Sequence, residues 1–429
     1  MKEFYLKPKI ISTLKDYSGQ QFVKDLVAGL IVAIIALPLS IALALASGAS
    51  PQQGIYTAIF AGFAVSLLGG SNIQIAGPTA AFATIVAGVI ASQGMDGLIL
   101  ATLMAGIMLI IMGVCKLGGL IKYVPTTITV GFTSGIAVTI LVGQIKDFLG
   151  LTYENGVRPI ETFEKIEANI HNISTFSWQA LLIGAVCLAI LIFYPKFEKR
   201  VPPSLIAVIV GALMVKFIPA LDKGVFTIGE LYNSIPSGFP EFTLGSININ
   251  MDKILAVLPD AFTIAILAGI ESLLSCVVAD KMVDAKHNPN TELVAQGAGN
   301  MLSVMFGGIP ATGAIARTAA NAKNGGRTPI AGIVHAVVLL LVILFLMPLA
   351  KLIPMPAIAA ILFMVAYNMS EWRHFVNICK TSKWHEILVL VVTFALTVIF
   401  DLVVAIAVGL AVYIVFVVIE KIKNKKQIA

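Results

Sequence analysis

Charge is scarce in this 429-residue chain: Asp, Glu, Lys and Arg make up 12% of it, against 58% hydrophobic residues. Soluble domains carry about a quarter charged residues, so that class is excluded. There are four cysteines (Cys115, Cys187, Cys276, Cys379) and no CxxC spacing, which removes a disulfide framework and a zinc site. The five histidines form no ligand-spaced cluster, and no GxxxxGK(S/T) loop exists to hold a nucleotide. No nucleophile–base constellation lies outside the apolar runs, so neither an enzyme nor a cofactor is expected. The short alternating segments of a membrane β-barrel are also missing. The net charge of +6 needs no nucleic-acid partner, because loop lysines account for it.

What remains is apolar sequence. Runs of 18 or more apolar residues recur from Val27 to Ile419, as in an all-α polytopic membrane protein whose main partner is the lipid bilayer. The first run follows a polar leader of more than 20 residues and is not a cleaved signal peptide. Counting breaks gives fourteen segments. A leader (1–23) precedes seven of them (24–218). A linker rich in Gly and Pro (219–253) precedes seven more (254–420), and a basic tail (421–429) closes the chain. With the N-terminus inside, the loops after spans 4, 6, 8, 10 and 12 carry lysines and arginines, and Lys351 is the main exception. Both termini are therefore expected on the cytoplasmic side of the cell inner (plasma) membrane, and the linker outside.

The two halves contain matching breaks. SLLGG (Ser66–Gly70) and SVMFGG (Ser303–Gly308) each precede a short extended piece with a proline and then a short helix. KYVP (Lys122–Pro125) and KLIP (Lys351–Pro354) repeat the same order further on. Seven spans separate the equivalents, so the repeat is 7+7 and inverted. Interrupted segments at matching positions point to a transporter's midplane site. Two half-helix N-termini, each with free N–H groups and a positive dipole end, suit an anion.

Charged and polar residues within the apolar sequence are the candidates for chemistry. Arg317, one turn into span 10, either supplies fixed positive charge to an anion, snorkels to the surface, or makes a structural ion pair. Glu271, in the middle of span 8, either pairs with Arg317, binds a coupling cation or proton, or locks its helix in place. Ser275, at i+4 from it, shares its face. Thr79, at the start of span 3, either contacts the anion or caps the helix. Thr312 and Gly313 occupy the matching place in span 10. Asp25 and Asp401 are expected at the interface. His335, within span 11, is either a proton carrier or a packing residue.

GPTAAFATI, GIESLLSCVVADKM and GGIPATGAIARTAANAKNGGRTPIAGIVHA resemble the sulfate permease (SulP) family, relatives of the animal solute-carrier-26 anion transporters. The resemblance covers nearly the whole chain. It implies a core of spans 1–4 and 8–11, a gate of spans 5–7 and 12–14, elevator-type motion and a homodimer. It implies an anion between spans 3 and 10, met by Arg317 and Ala316, with Glu271 as the coupling position and Ser275 as a hydroxyl that helps bind sodium in bicarbonate-transporting relatives. Those sodium-coupled relatives carry Asp and lack the arginine, so Glu271 with Arg317 resembles the proton-coupled or exchanging members. The family's span 1 often reads Pro-Gln where this chain has Pro38-Leu39, which removes one polar contact. Members carry a C-terminal STAS domain; this sequence ends about ten residues past its last span, as either a short natural form or a truncation would. The implied activity is secondary transport of sulfate, bicarbonate or a C4 dicarboxylate with protons. Sodium-coupled bicarbonate symport, anion exchange and a passive anion channel are the alternatives. Arg317 argues against nucleobase transport of the uracil/xanthine type.

Overall fold

The computed structural model describes residues 6–123, 125–153, 159–198, 201–222, 224–232, 238–243, 250–400, 404–405 and 407–416. Asp401, the basic tail, Val124 of KYVP and parts of the leader and linker lie outside the described residues. The chain divides into two compact units. The first holds Met1–Ile121, Asp147–Gly150 and Ser177–Ile361; the second holds Lys122–Lys146, Leu151–Phe176 and Leu362–Ala429.

The first unit opens with α1 (Gly19–Ala46), where the Ser18 hydroxyl caps the first turn by accepting from the Gln21 N–H. α2 (Pro51–Leu68) follows; Pro51 suits its first turn, and the Gln53 side chain accepts from the Ser50 N–H at 2.9 Å. α3 (Ala83–Val114) is interrupted at Gly94, whose φ of 72° breaks the helix where the sequence divides spans 3 and 4. Most of α4 (Thr126–Leu149) belongs to the second unit. α5 (Trp178–Phe197) and α6 (Pro203–Phe217) return to the first.

α7 (Met251–Val283) is continuous for 33 residues, or about 50 Å at 1.5 Å per residue. It is followed by α8 (Pro289–Met305), the short α9 (Ile315–Lys323) and α10 (Ile330–Phe345). Small residues let these helices approach closely, as membrane interfaces require. Gly106 of α3 and Gly297 of α8 each lie on the other's carbonyl, and Gly29 of α1 lies against Ala331 of α10.

In the second unit, Gly131 and Gly135 of α4 face Leu390, Thr393 and Thr397 of α12 (Trp384–Ile399). α11 (Met355–Met369) precedes it and α13 (Ala407–Phe416) follows; Gly409 of α13 lies against Thr393. Five described helices are long and apolar enough to cross a membrane: α1, α3 with the turn preceding it, α4, α5 and α7. The protein is a multi-pass membrane protein.

Both glycine pairs mark close backbone approaches. At Gly70 an added Cβ would overlap the Asn288 carbonyl, because the chain entering α8 passes directly over it. The Asn288 N–H donates to the Gly70 carbonyl at 2.9 Å, and the Gly70 N–H donates to Glu292 Oε2 at 2.9 Å. Gly307 takes φ 76° to end α8, and Gly308 lies against Ser303.

Candidate functional site

Beyond each glycine pair the chain runs extended through the interior of the first unit. Two of these residues, β1 (Ala76–Gly77), pair antiparallel with two others, β2 (Thr312–Gly313), in the register Ala76↔Gly313 and Gly77↔Thr312. Every backbone group at such depth needs an internal partner, and side chains supply several. Thr57 Oγ1 accepts from the Ile309 N–H at 2.7 Å, and the Asn300 amide both accepts from and donates to Ala311 at 2.8 Å. On the other segment, Thr318 Oγ1 accepts from the Ile75 N–H at 3.0 Å and Asn321 donates to the Ile73 carbonyl at 2.9 Å. Because the ladder is antiparallel, the helical segments that follow leave it in opposite directions.

Arg317, the third residue of α9, is 1% exposed. Its Nη2 donates to the Pro78 carbonyl at 2.6 Å. Among the described residues Nε and Nη1 have no hydrogen-bond partner, and no ion pair involves Arg317. Burial removes the snorkelling alternative, and the missing counter-charge removes the structural ion pair with Glu271. Gly77 makes room for the guanidinium, since a Cβ there would overlap Nη1. The result is a desolvated cation with two open donors.

One face of α7 supplies the other wall. Thr79 Oγ1 donates to Glu271 Oε2 at 2.9 Å. Thr79 holds the N-cap position of the 3-10 turn Ala80–Phe82, but its side chain makes no capping bond. Ser272 Oγ lies 2.8 Å from Thr312 Oγ1 and accepts from the Gly313 N–H at 3.0 Å. Ser275 Oγ donates to Gln74 Oε1 at 2.9 Å, and Gln74 Nε2 donates to the Ser272 carbonyl at 3.1 Å. Gly313 leaves space for that amide, which a Cβ would overlap. The structure thus brings Arg317, Thr79, Glu271, Ser275, Thr312 and Gly313 to the two crossing segments. Ala316 is exposed beside Arg317. Leu39 is half-buried on α1 and adds no polar group.

Sequence reasoning missed several members. Gln74 and Ser272 are polar residues in apolar segments, and that was their available signal. Glu292 is fully buried, yet it stands just before the expected start of span 9 at Leu293, where a carboxylate draws no notice. Asp25, expected at the interface, is 0% exposed. It accepts from Thr328 Oγ1 at 2.6 Å, Tyr17 Oη at 2.9 Å, the Arg327 N–H at 2.9 Å and Gln21 at 3.1 Å. This binds the start of α1 to the loop after α9. Burial, and then the bond to Asp25, pushes the Tyr17 hydroxyl pKa up to about 12.

Residues 22–393 match the profile of the sulfate permease family. The chain is 44% identical over 407 residues to the Bacillus subtilis protein described as "Putative sulfate transporter YvdB", covering 94% of this chain and 74% of that one. It is 36% identical over 417 residues to the bicarbonate transporter BicA of Picosynechococcus, covering 93% and 70%. The solved transmembrane domain of a cyanobacterial BicA superposes with a TM-score of 0.79 at 30% identity, covering 91% of this chain and 98% of that one. SLC26A9 shares the fold at a TM-score of 0.87 and 20% identity, covering 97% and 68%.

Proposed function

Because the chain belongs to the sulfate permease family, whose members are anion transporters and not enzymes, we propose that it is a secondary active carrier of a small oxyanion driven by protons. Sulfate, bicarbonate and C4 dicarboxylates are the substrate class. The observation that carries this reading is Arg317: buried, without a carboxylate partner, and with two open donors. Arginine's planar fork suits carboxylate-like oxygens. Thr79 and the backbone at the start of α9 complete the substrate contacts, and Ala316 lines them.

Charge balance gives Glu271 its role. A buried Arg317 and an ionised Glu271 are together neutral, so an incoming anion adds uncompensated negative charge at low dielectric. Protonation of Glu271 offsets it, so anion and proton travel together. Thr79 links the two events by touching both the substrate region and the carboxylate. Ser275, beside Glu271 and engaged with Gln74, supports the second reading, sodium-coupled bicarbonate symport.

The matched glycine breaks and the antiparallel ladder support a 7+7 inverted repeat of spans 24–218 and 254–420, with spans 3 and 10 as half-helices. On that reading spans 1–4 and 8–11 form a moving core and spans 5–7 and 12–14 a gate, in a homodimer with both termini on the cytoplasmic side of the inner membrane. The test is uptake of labelled sulfate, bicarbonate, succinate and fumarate into proteoliposomes with imposed proton or sodium gradients. Uphill uptake driven by protons supports symport. Uptake that follows sodium alone favours the second reading, and flux that never runs uphill indicates a channel.

A further inference from the structure

We propose that His335 is a positioning residue for Arg317, joined to it through water beside β1. The proposal rests on the anion site argued above and assigns it a member that touches no substrate.

His335 sits on α10 and is 0% exposed. A Cβ built on Gly62 of α2 would stand 3.2 Å from the Ala76 carbonyl oxygen, 3.6 Å from His335 Cδ2 and 3.9 Å from His335 Nε2. One turn earlier on the same face of α2, the Ala58 Cα lies 3.4 Å from where a Cβ of Gly77 would be, and that Cβ would overlap Arg317 Nη1. The imidazole and the guanidinium therefore flank consecutive residues of one strand, Ala76 and Gly77.

Both groups have nitrogens without a partner among the described residues. Neither Nδ1 nor Nε2 of His335 is hydrogen-bonded to a described residue, and the same holds for Nε and Nη1 of Arg317. A histidine present only for packing would have its ring nitrogens met by a carbonyl or hydroxyl, since buried polar atoms are rarely left unpaired. The two groups are chemically complementary. Arg317 offers donors only, and a neutral imidazole offers one acceptor and one donor. Water, which does both, bridges such pairs in buried polar pockets. Pro78 then holds one Nη2 N–H from one side, His335 holds one further N–H through water from the other, and the remaining N–H groups of the fork are left for the anion.

Two measurements test this. Protein labelled with nitrogen-15 at histidine is examined by NMR, with the His335 signals identified by their absence in H335Q. One ring nitrogen is expected in the hydrogen-bonded acceptor range, and it moves when Arg317 is changed to Gln. An acceptor signal unmoved by R317Q overturns the proposal. Uptake of labelled sulfate and bicarbonate is then compared across variants. H335L is expected to raise KM about tenfold, as loss of one hydrogen bond to a charged group would, with maximal rate and melting temperature unchanged; H335Q restores KM. Unchanged KM in H335L overturns it, as does equal loss in H335L and H335Q with lowered melting temperature, which would make the ring a packing element. R317A separates the two ideas: if R317A leaves KM unaltered the anion site itself fails, whereas loss in R317A with normal KM in H335L fails only His335.

Discussion

The Thr79 hydroxyl donates to Glu271 Oε2 at 2.9 Å across 192 residues of sequence. The bond joins the first crossing segment to the middle of α7, so the proposed anion and coupling positions touch directly. Glu271→Gln keeps the shape and an acceptor for Thr79 but removes the titratable proton. Uphill uptake driven by a proton gradient is expected to disappear while exchange between equal anion pools persists. Normal pH-driven accumulation in this variant would sink the coupling role.

Arg317→Ala removes the buried cation at the crossing segments and is expected to abolish anion binding with the fold intact. Arg317→Lys keeps the charge but loses the fork. A hydrogen bond to a charged group contributes about 1.5–3 kcal/mol, so affinity should fall about 10- to 100-fold. Isothermal titration with sulfate or bicarbonate on detergent-purified protein reads both, and affinity unchanged in the alanine variant would exclude Arg317 from the site.

Gly77→Ala tests the site without touching a polar group. Its Cβ would overlap Arg317 Nη1, so the guanidinium must shift. Transport should fall at least tenfold, the scale of one misaligned charged contact, while the protein still purifies as a folded species. Gly88→Ala, which meets nothing within 4 Å, is the control and should transport normally.

Glu271 and Arg317 were legible because a charge inside an apolar run is conspicuous whatever the fold. The glycine pairs were legible as breaks, since GG interrupts an apolar run at matching places in the two halves; the close backbone approaches they permit were not. Partnerships were not legible. Nothing local says that Ser275 meets Gln74, 201 residues away, or that Asp25 meets Thr328, 303 residues away. Asp25 stands at the start of a span, where a carboxylate is ordinarily wet, and only the returning loop covers it. Glu292 was hidden by its polar neighbours, which themselves turn inward. His335 was weighed as a packing residue, and its unpaired nitrogens emerge only once α2 and α10 are placed together.

The Asp25 contacts give a pH-dependent prediction. Tyr17 has its pKa raised from 10.0 to about 12. Its contribution to stability is complete below about pH 10 and is lost as pH rises towards about 12, because the unfolded chain releases the proton first. Tyr17→Phe should therefore lower the melting temperature at pH 8 and narrow its gap to the parent protein as pH rises from 10 to 12. A gap constant across that range would show that the hydroxyl bond to Asp25 adds nothing.

The two-residue ladder has a mechanical consequence. Ala76–Gly77 and Thr312–Gly313 are bonded to each other, and their flanks are bonded to α2, α7, α8 and α9 by side chains that approach from different directions. Parting the two segments would strand several backbone groups at once, away from the bulk water that could replace the lost partners. The two walls thus behave as one splint. On the proposed carrier reading, opening of the site to alternate sides of the membrane is expected from motion past the splint and not from its coming apart.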